Sequence, residues 1–237
     1  MTDVDTLNVW SDYRLVGSLW RNTVGYIGFR YDSNWIEPRG FALSRTLPLS
    51  VESFAPEGAV AHRFFANLLP EGGVRDHIVR DLKIPDTDFE LLRAIGGECA
   101  GALTILPVGR APSGERRYRP LMGDELTHLV ARRGQIYAAY PPDERPRLSL
   151  AGAQDKCPIL VQDDAFFLPQ GEAPSSHILK FELPDYRHVP AYETFTTLLA
   201  GRVELPVVGI ELLEINKKSC ALVERYDRKR DDKGEVY

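Results

Sequence analysis

Four groups of residues in this sequence have types and spacing that suit chemistry. The first is the run Ser149-Leu150-Ala151-Gly152-Ala153-Gln154-Asp155-Lys156. Its small residues let a backbone come close to a phosphate, and successive N–H groups can cradle one. The run is neither a G-x-x-x-x-G-K-[ST] loop nor G-x-G-x-x-G, so by itself it reads more readily as an ordinary turn. The second group is Lys180, set among the apolar residues Ile178, Leu179 and Phe181. A lysine buried there needs a partner, because an unpaired charge is costly to remove from water. Glu193, thirteen residues further on, is the third group and the acid within reach. A surface lysine on an edge strand is the plainer alternative. The fourth group, Val223-Glu224-Arg225-Tyr226-Asp227, closes a strand with charges that water alone would satisfy.

The periodicity says which elements must hold these groups. Leu7 to Trp10 and Arg14 to Trp20 read as a β-hairpin, and Val24 to Tyr31 as a third strand. From Ser33 to Glu57 the residues Pro38, Gly40, Pro48 and Pro56 predict extended loops. Val60, Phe64, Phe65, Leu68 and Leu69 make a helical stripe stopped by Pro70. Val74 to Leu82 is a second helix, and Phe89 to Ile95 a third, with Asp86 and Asp88 as candidate caps and Gly96-Gly97 as its stop. Ala102 to Val108 is a strand, residues 109–120 a polar, basic linker, and Asp124 to Arg133 a helix. The second half shows short strands at Pro158–Val161, Phe166–Leu168 and His177–Glu182. A helix follows from about Tyr192 to Val203, with Phe195, Leu198 and Leu199 on one face. Strands at Val207–Ile215 and Ser219–Arg225 complete it. The fold class is therefore α+β: residues 1–108 form a mixed N-terminal subdomain, 109–146 a linker and helix, and 147–237 a lobe of five strands and one helix.

Composition narrows the function classes. The chain has 237 residues, 43% hydrophobic and 27% charged, which is globular and excludes a disordered or collagen-like protein. No apolar run approaches the ~18 residues of a membrane helix, and the acidic start MTDVDTLNVW lacks the layout of a signal peptide. A net charge of -5 argues against a general nucleic-acid binder. Cys99, Cys157 and Cys220 are odd in number and far apart, so a reduced, cytoplasmic protein is expected. The five histidines give no H-E-x-x-H site.

The order β-β-β-α-β-β of the last lobe is that of the small lobe of a protein kinase, where a third-strand lysine meets the nucleotide phosphates and pairs with a helix glutamate. The residues go further. The run Leu148 to Lys156, then His177-Ile178-Leu179-Lys180, Glu193 and Ala221 to Arg228 resembles the HipA-type toxin kinases. Phe64-Phe65-Ala66-Asn67-Leu68-Leu69-Pro70-Glu71, and Ile95-Gly96 through Gly101-Ala102-Leu103-Thr104, are similar to that family's N-terminal subdomain. The resemblance implies a bacterial serine/threonine kinase of a type II toxin–antitoxin module. Such a kinase phosphorylates a translation protein, typically an aminoacyl-tRNA synthetase, and arrests growth. It implies ATP and Mg2+ as cofactors, a small helix-turn-helix antitoxin as partner, and DNA contact mainly through that antitoxin, with no membrane. By resemblance, Ala151, Gly152, Ala153, Gln154, Asp155 and Lys156 form the phosphate loop. Lys180 contacts phosphate with Glu193 as its partner, and Glu224, Arg225 and Tyr226 form the adenine-binding hinge. Ser149 matches the inhibitory phosphorylation position.

Phosphoryl transfer also needs a base and oxygen ligands for magnesium. After Asn67 the only asparagine is Asn216, residue 211 is glutamate, and no Asp-Gly-His or Asp-Phe-Gly follows Lys180. No catalytic residue and no metal ligand is assigned within the chain. The expectation is the N-terminal, ATP-facing half of a HipA-type kinase, inactive alone and cut from a longer protein. The alternative is a non-catalytic binding protein that holds an antitoxin or a separate catalytic chain. An unrelated α+β enzyme is a third, weaker reading.

Overall fold

The computed structural model describes residues 6–37, 40–137, 139–141, 144–147, 149–231 and 236. Pro38 and Leu148, both used in reading the sequence, lie outside them. The chain divides into two compact units. One is Met1–Gly114 with Arg147–Gly152, and the other Glu115–Pro146 with Ala153–Tyr237. Each is built on an antiparallel sheet, so the fold is α+β.

The first unit holds β1 (Thr6–Ser11), β2 (Arg14–Arg21), β3 (Ile27–Tyr31), β4 (Ser53–Phe54) and β5 (Leu103–Pro107), in the order β4-β3-β2-β1-β5. Leu7 and Val9 point to the buried face of β1 and alternate with polar Asn8, which is the period-2 pattern of a half-covered strand. Strand β3 starts three residues later than its sequence suggests. The Asn22 side chain accepts from the N–H groups of Val24 and Tyr26, making a turn in which Gly25 has φ +90°. The proline-rich stretch after it is more ordered than expected. It contains a short helix α1 (Ser33–Ile36) capped by the Asp32 carboxylate, the strand β4, and a 3-10 turn at Pro56–Gly58.

Helices α2 (Val60–Ala66), α3 (Gly72–Leu82) and α4 (Asp88–Ile95) belong to the same unit. Phe29 sits at its centre, 5.4 Å from the Phe65 ring and 4.7 Å from Tyr31. The cap of α4 is Thr87, whose hydroxyl accepts from the Glu90 N–H at 3.3 Å. Asp86 and Asp88, the expected caps, instead grip the Arg75 guanidinium, each at 2.6 Å. Gly96 ends α4 without a left-handed backbone (φ -73°). Its glycine is needed for room, since a Cβ there would lie 2.4 Å from the Leu92 carbonyl oxygen and 3.0 Å from the Ile105 side chain.

The second unit holds β6 (Tyr118–Pro120), α5 (Asp124–Ala131), β7 (Lys156–Gln162), β8 (Ala165–Pro169), β9 (His177–Phe181), α6 (Val189–Arg202), β10 (Ile210–Ile215) and β11 (Lys218–Glu224). The sheet order is β10-β11-β9-β7-β8-β6, with β9 in the interior. Strand β6 lies within the polar stretch after Val108 and pairs with the edge of β8. The β10–β11 hairpin turns through Asn216 and Lys217, both with positive φ, as a two-residue turn between twisted strands requires. Cys157, Ile159, Leu179, Phe181, Cys220 and Leu222 fill the core against Leu129 and Val130 of α5. The three cysteines are free and buried. Burial pushes the Cys220 thiol up to about 11 and raises that of Cys157 as well, so neither is a ready nucleophile. Helix α6 buries Pro190 and Thr194, while Phe195, Leu198 and Leu199, the face read from the sequence, point out.

Candidate functional site

Lys180 lies on β9 between β7 and β11, opposite Lys156 on one side and Ala221 on the other. It is therefore on an interior strand, not an edge. Its ammonium donates to the Glu193 carboxylate on α6, and the two side chains are 21% and 28% exposed. Lys156, directly opposite in the antiparallel register, shares the same face of the sheet.

The loop before β7 is anchored residue by residue. Ala151 is exposed. Gly152, at φ +106°, accepts the Glu71 N–H at 3.2 Å and bridges to Pro70. Ala153 is exposed, and the Gln154 amide donates to the Phe181 carbonyl at 3.0 Å. The Asp155 carbonyl accepts the Phe181 N–H at 3.1 Å, and its buried carboxylate stands 3.4 Å from Arg133. Ala151 and Gly152 belong to the first unit, and Ala153 to Lys156 to the second.

Ser149 is fully buried in the first unit. Its hydroxyl donates to the Leu68 carbonyl and its N–H to the Glu98 carbonyl. The neighbouring Arg147 donates to the carbonyls of Ala94 and Arg93, at 3.1 and 2.6 Å, and so caps the C-terminal turn of α4. Sequence reasoning missed this role, since nothing local to Arg147 points fifty residues back.

The strand end 224–226 is only partly open. The N–H of Glu224 donates to Gly209 and that of Arg225 to Ser176, at 2.8 and 3.0 Å. The Arg225 side chain is buried, forked on Asp227 at 2.7 and 2.9 Å and bonded to Ser175. Tyr226 is 87% exposed. His177, opposite Glu224 in the ladder, has its Nδ1 2.8 Å from the Ser176 hydroxyl. A cavity of about 360 Å³ opens at the C-terminal end of β9, lined by Arg133, Phe181, Arg187 and Lys218 but by neither Lys180 nor Glu193. Among the described residues no three His, Cys, Asp or Glu side chains group to hold a metal ion, and no helix is long and apolar enough to cross a membrane.

Burial lowers the His177 imidazole below its ordinary value, against the opposing pull of Glu224. As pH falls, the unfolded chain then takes up the proton first, so this contribution is full above about pH 6.5 and declines below it. Urea midpoints for His177→Gln should fall less steeply than wild type on acidification below pH 6.5. Identical slopes would remove His177 from the acid sensitivity.

Residues 7–106 match the model of the HipA N-terminal domain and residues 148–236 that of the HipA-like C-terminal domain. The protein Y4mE of Sinorhizobium fredii is 36% identical over 243 residues, covering 99% of this chain and 57% of that protein. The serine/threonine-protein kinase toxin HipA of Shewanella oneidensis is 31% identical over 211 residues, covering 87% of this chain and 46% of the toxin. A solved complex of Shewanella oneidensis HipA with HipB and operator DNA superposes with a TM-score of 0.75 at 27% identity, over 97% of this chain and 53% of that one. The chain spans about half the length of the relatives it matches. With both family domains matched in order, the chain belongs to the HipA family.

Proposed function

We propose that this chain is the nucleotide-facing half of a HipA-type serine/threonine kinase toxin, inactive without the remainder of the kinase. The observation that carries the reading is Lys180 on the interior strand β9, part-buried and held by Glu193 of α6. An ammonium fixed in direction by a helix carboxylate is suited to meet a nucleotide phosphate. Lys180 contacts the phosphates of ATP and Glu193 fixes its direction. Residues Ala153 to Lys156, in the same unit as Lys180, supply backbone N–H groups along the phosphates. At the strand end, the N–H groups of Glu224 and Arg225 are committed within the fold, so Tyr226 is the residue of that segment offered to the adenine. ATP thus fits the residues present. The carboxylates for Mg2+ and the base for the acceptor hydroxyl come from the remainder of the kinase.

The substrate on this reading is a translation protein such as an aminoacyl-tRNA synthetase. A small HipB-like antitoxin is the partner and carries the contact with operator DNA, a reading supported by the solved Shewanella complex of HipA, HipB and operator DNA. Calorimetric titration of the 237-residue chain with ATP, ADP and AMP tests the seat. Binding should weaken at each loss of a phosphate, by about tenfold overall. Equal affinity for all three would remove the lysine face from the binding site.

A further inference from the structure

Arg133, Arg187 and Lys218 are far apart in the sequence and meet at the cavity of about 360 Å³. All three belong to the second unit. Arg133 follows the last turn of α5, Arg187 sits in the loop between β9 and α6, and Lys218 opens β11. Phe181, the last residue of β9, lines the same cavity. Successive residues of a strand face opposite sides, so the cavity borders the side of β9 away from Lys180. Each cation is held in its own way. The N–H of Arg133 donates to Val130 and that of Gly134 to Leu129, both at 3.0 Å, a helix end whose left-handed position favours glycine. Arg133 takes that position (φ 51°), where a side chain is held at a conformational cost. Its Nε stands 3.4 Å from the Asp155 carboxylate, which leaves the terminal fork of the guanidinium for a ligand. Lys218 donates to the Ala131 carbonyl at 3.4 Å and keeps its other protons. Arg187 is exposed and has no ion pair among the described residues. Ser219 adds a hydroxyl to the lining, and Glu182 a carboxylate.

We propose that this cavity is a second anion site, which binds a phosphate monoester dianion on Arg187, Lys218 and the free fork of Arg133. Two guanidinium groups and an ammonium offer donors to three phosphate oxygens, and the Ser219 hydroxyl offers one more. A carboxylate has two oxygens and one charge, so it would leave one of the three cations unanswered. Three cations against the single carboxylate of Glu182 repel a positively charged ligand. The volume suits a phosphate with a small carrier. The site uses neither Lys180 nor Glu193, so it stands whether or not those residues hold ATP.

The test follows the backbone amide resonances of Gly134, Arg187 and Ser219 in the isotope-labelled 237-residue chain. Inorganic phosphate, N-acetyl phosphoserine amide, AMP and acetate are titrated in turn. The three amides should shift saturably with the phosphates, and acetate should bind about tenfold more weakly than the tightest of them. Arg187→Ala with Lys218→Ala should weaken phosphate binding by about tenfold or more, and Glu182→Gln should tighten it by about threefold. Lys180→Ala should leave these three resonances responding as before. A preference for the phosphoserine amide identifies a phosphorylated polypeptide as the source, a preference for AMP a nucleotide, and parity the free ion. The proposal is overturned by shifts that do not saturate, by acetate binding as well as phosphate, or by a double variant that binds like wild type. Saturable shifts confined to Lys180 and its neighbours overturn it too. Arg187 is exposed, so Arg187→Glu alone carries the test if the double variant loses its circular dichroism.

Discussion

Ser149→Asp should destabilise the first unit by about 3–5 kcal/mol, the cost of a buried charge without a partner. The side chain is fully buried and its hydroxyl points at the Leu68 carbonyl, an acceptor that would repel a carboxylate. Ser149→Ala removes the same donor without adding charge and should cost about 1–3 kcal/mol, because the Leu68 carbonyl is left unsatisfied. Urea unfolding of the two variants separates the terms. If the aspartate variant is no weaker than the alanine one, the segment leaves its seat at almost no cost. That ranking bears on phosphorylation. A kinase cannot reach Ser149 where it lies, so the segment must first release the bonds to Leu68 and Glu98. On the reading proposed above, a phosphate of charge about -1.5 to -2 could not return to that seat, and the modified segment would stay out.

Lys180→Ala is expected to lower the affinity of the chain for ATP by about tenfold or more, consistent with one charge-assisted hydrogen bond worth about 1.5–3 kcal/mol. The alanine variant also leaves Glu193 partly buried without the cation it pairs with, which adds repulsion where a phosphate would sit. Glu193→Gln should cost less, about threefold, since Lys180 keeps its charge and loses only its guide. Titration calorimetry with circular dichroism as a check on folding measures both. An alanine variant that binds like wild type would place the phosphates elsewhere. The order of the two losses matters too, because a larger effect from Glu193→Gln would make α6, not the lysine, the limiting part of the site.

Much of this was legible in the residues, for identifiable reasons. Alternation in β1 and the short apolar runs of β7 and β9 are local signals, so the strands and the lysine on the third of them follow from sequence. Register is not local. That Lys156 stands opposite Lys180 depends on how β7 and β9 align, and no residue states it. Strand β6 was hidden because its three residues, Tyr118, Arg119 and Pro120, are polar or unable to donate, and only the edge of β8 makes a strand of them. Apolar spacing in α6 gave a helix with Phe195, Leu198 and Leu199 on one face, and left open whether that face is covered. Periodicity reports which residues share a side, while the packing of Pro190 and Thr194 decides which side is covered.

Arg147, Ser149 and Gly152 belong to the first unit although 32 residues of the second, Glu115–Pro146, come before them in the chain. The sheet of that unit already requires β5 to find β1 across a loop of about 90 residues, a slow closure. During synthesis the ribosome delivers the whole of that sheet, Thr6 to Pro107, well before it delivers the segment that caps α4 and fills the space beside Leu68. Until that segment emerges, the carbonyls of Leu68 and Ala94 lack the donors that Ser149 and Arg147 bring them in the finished unit.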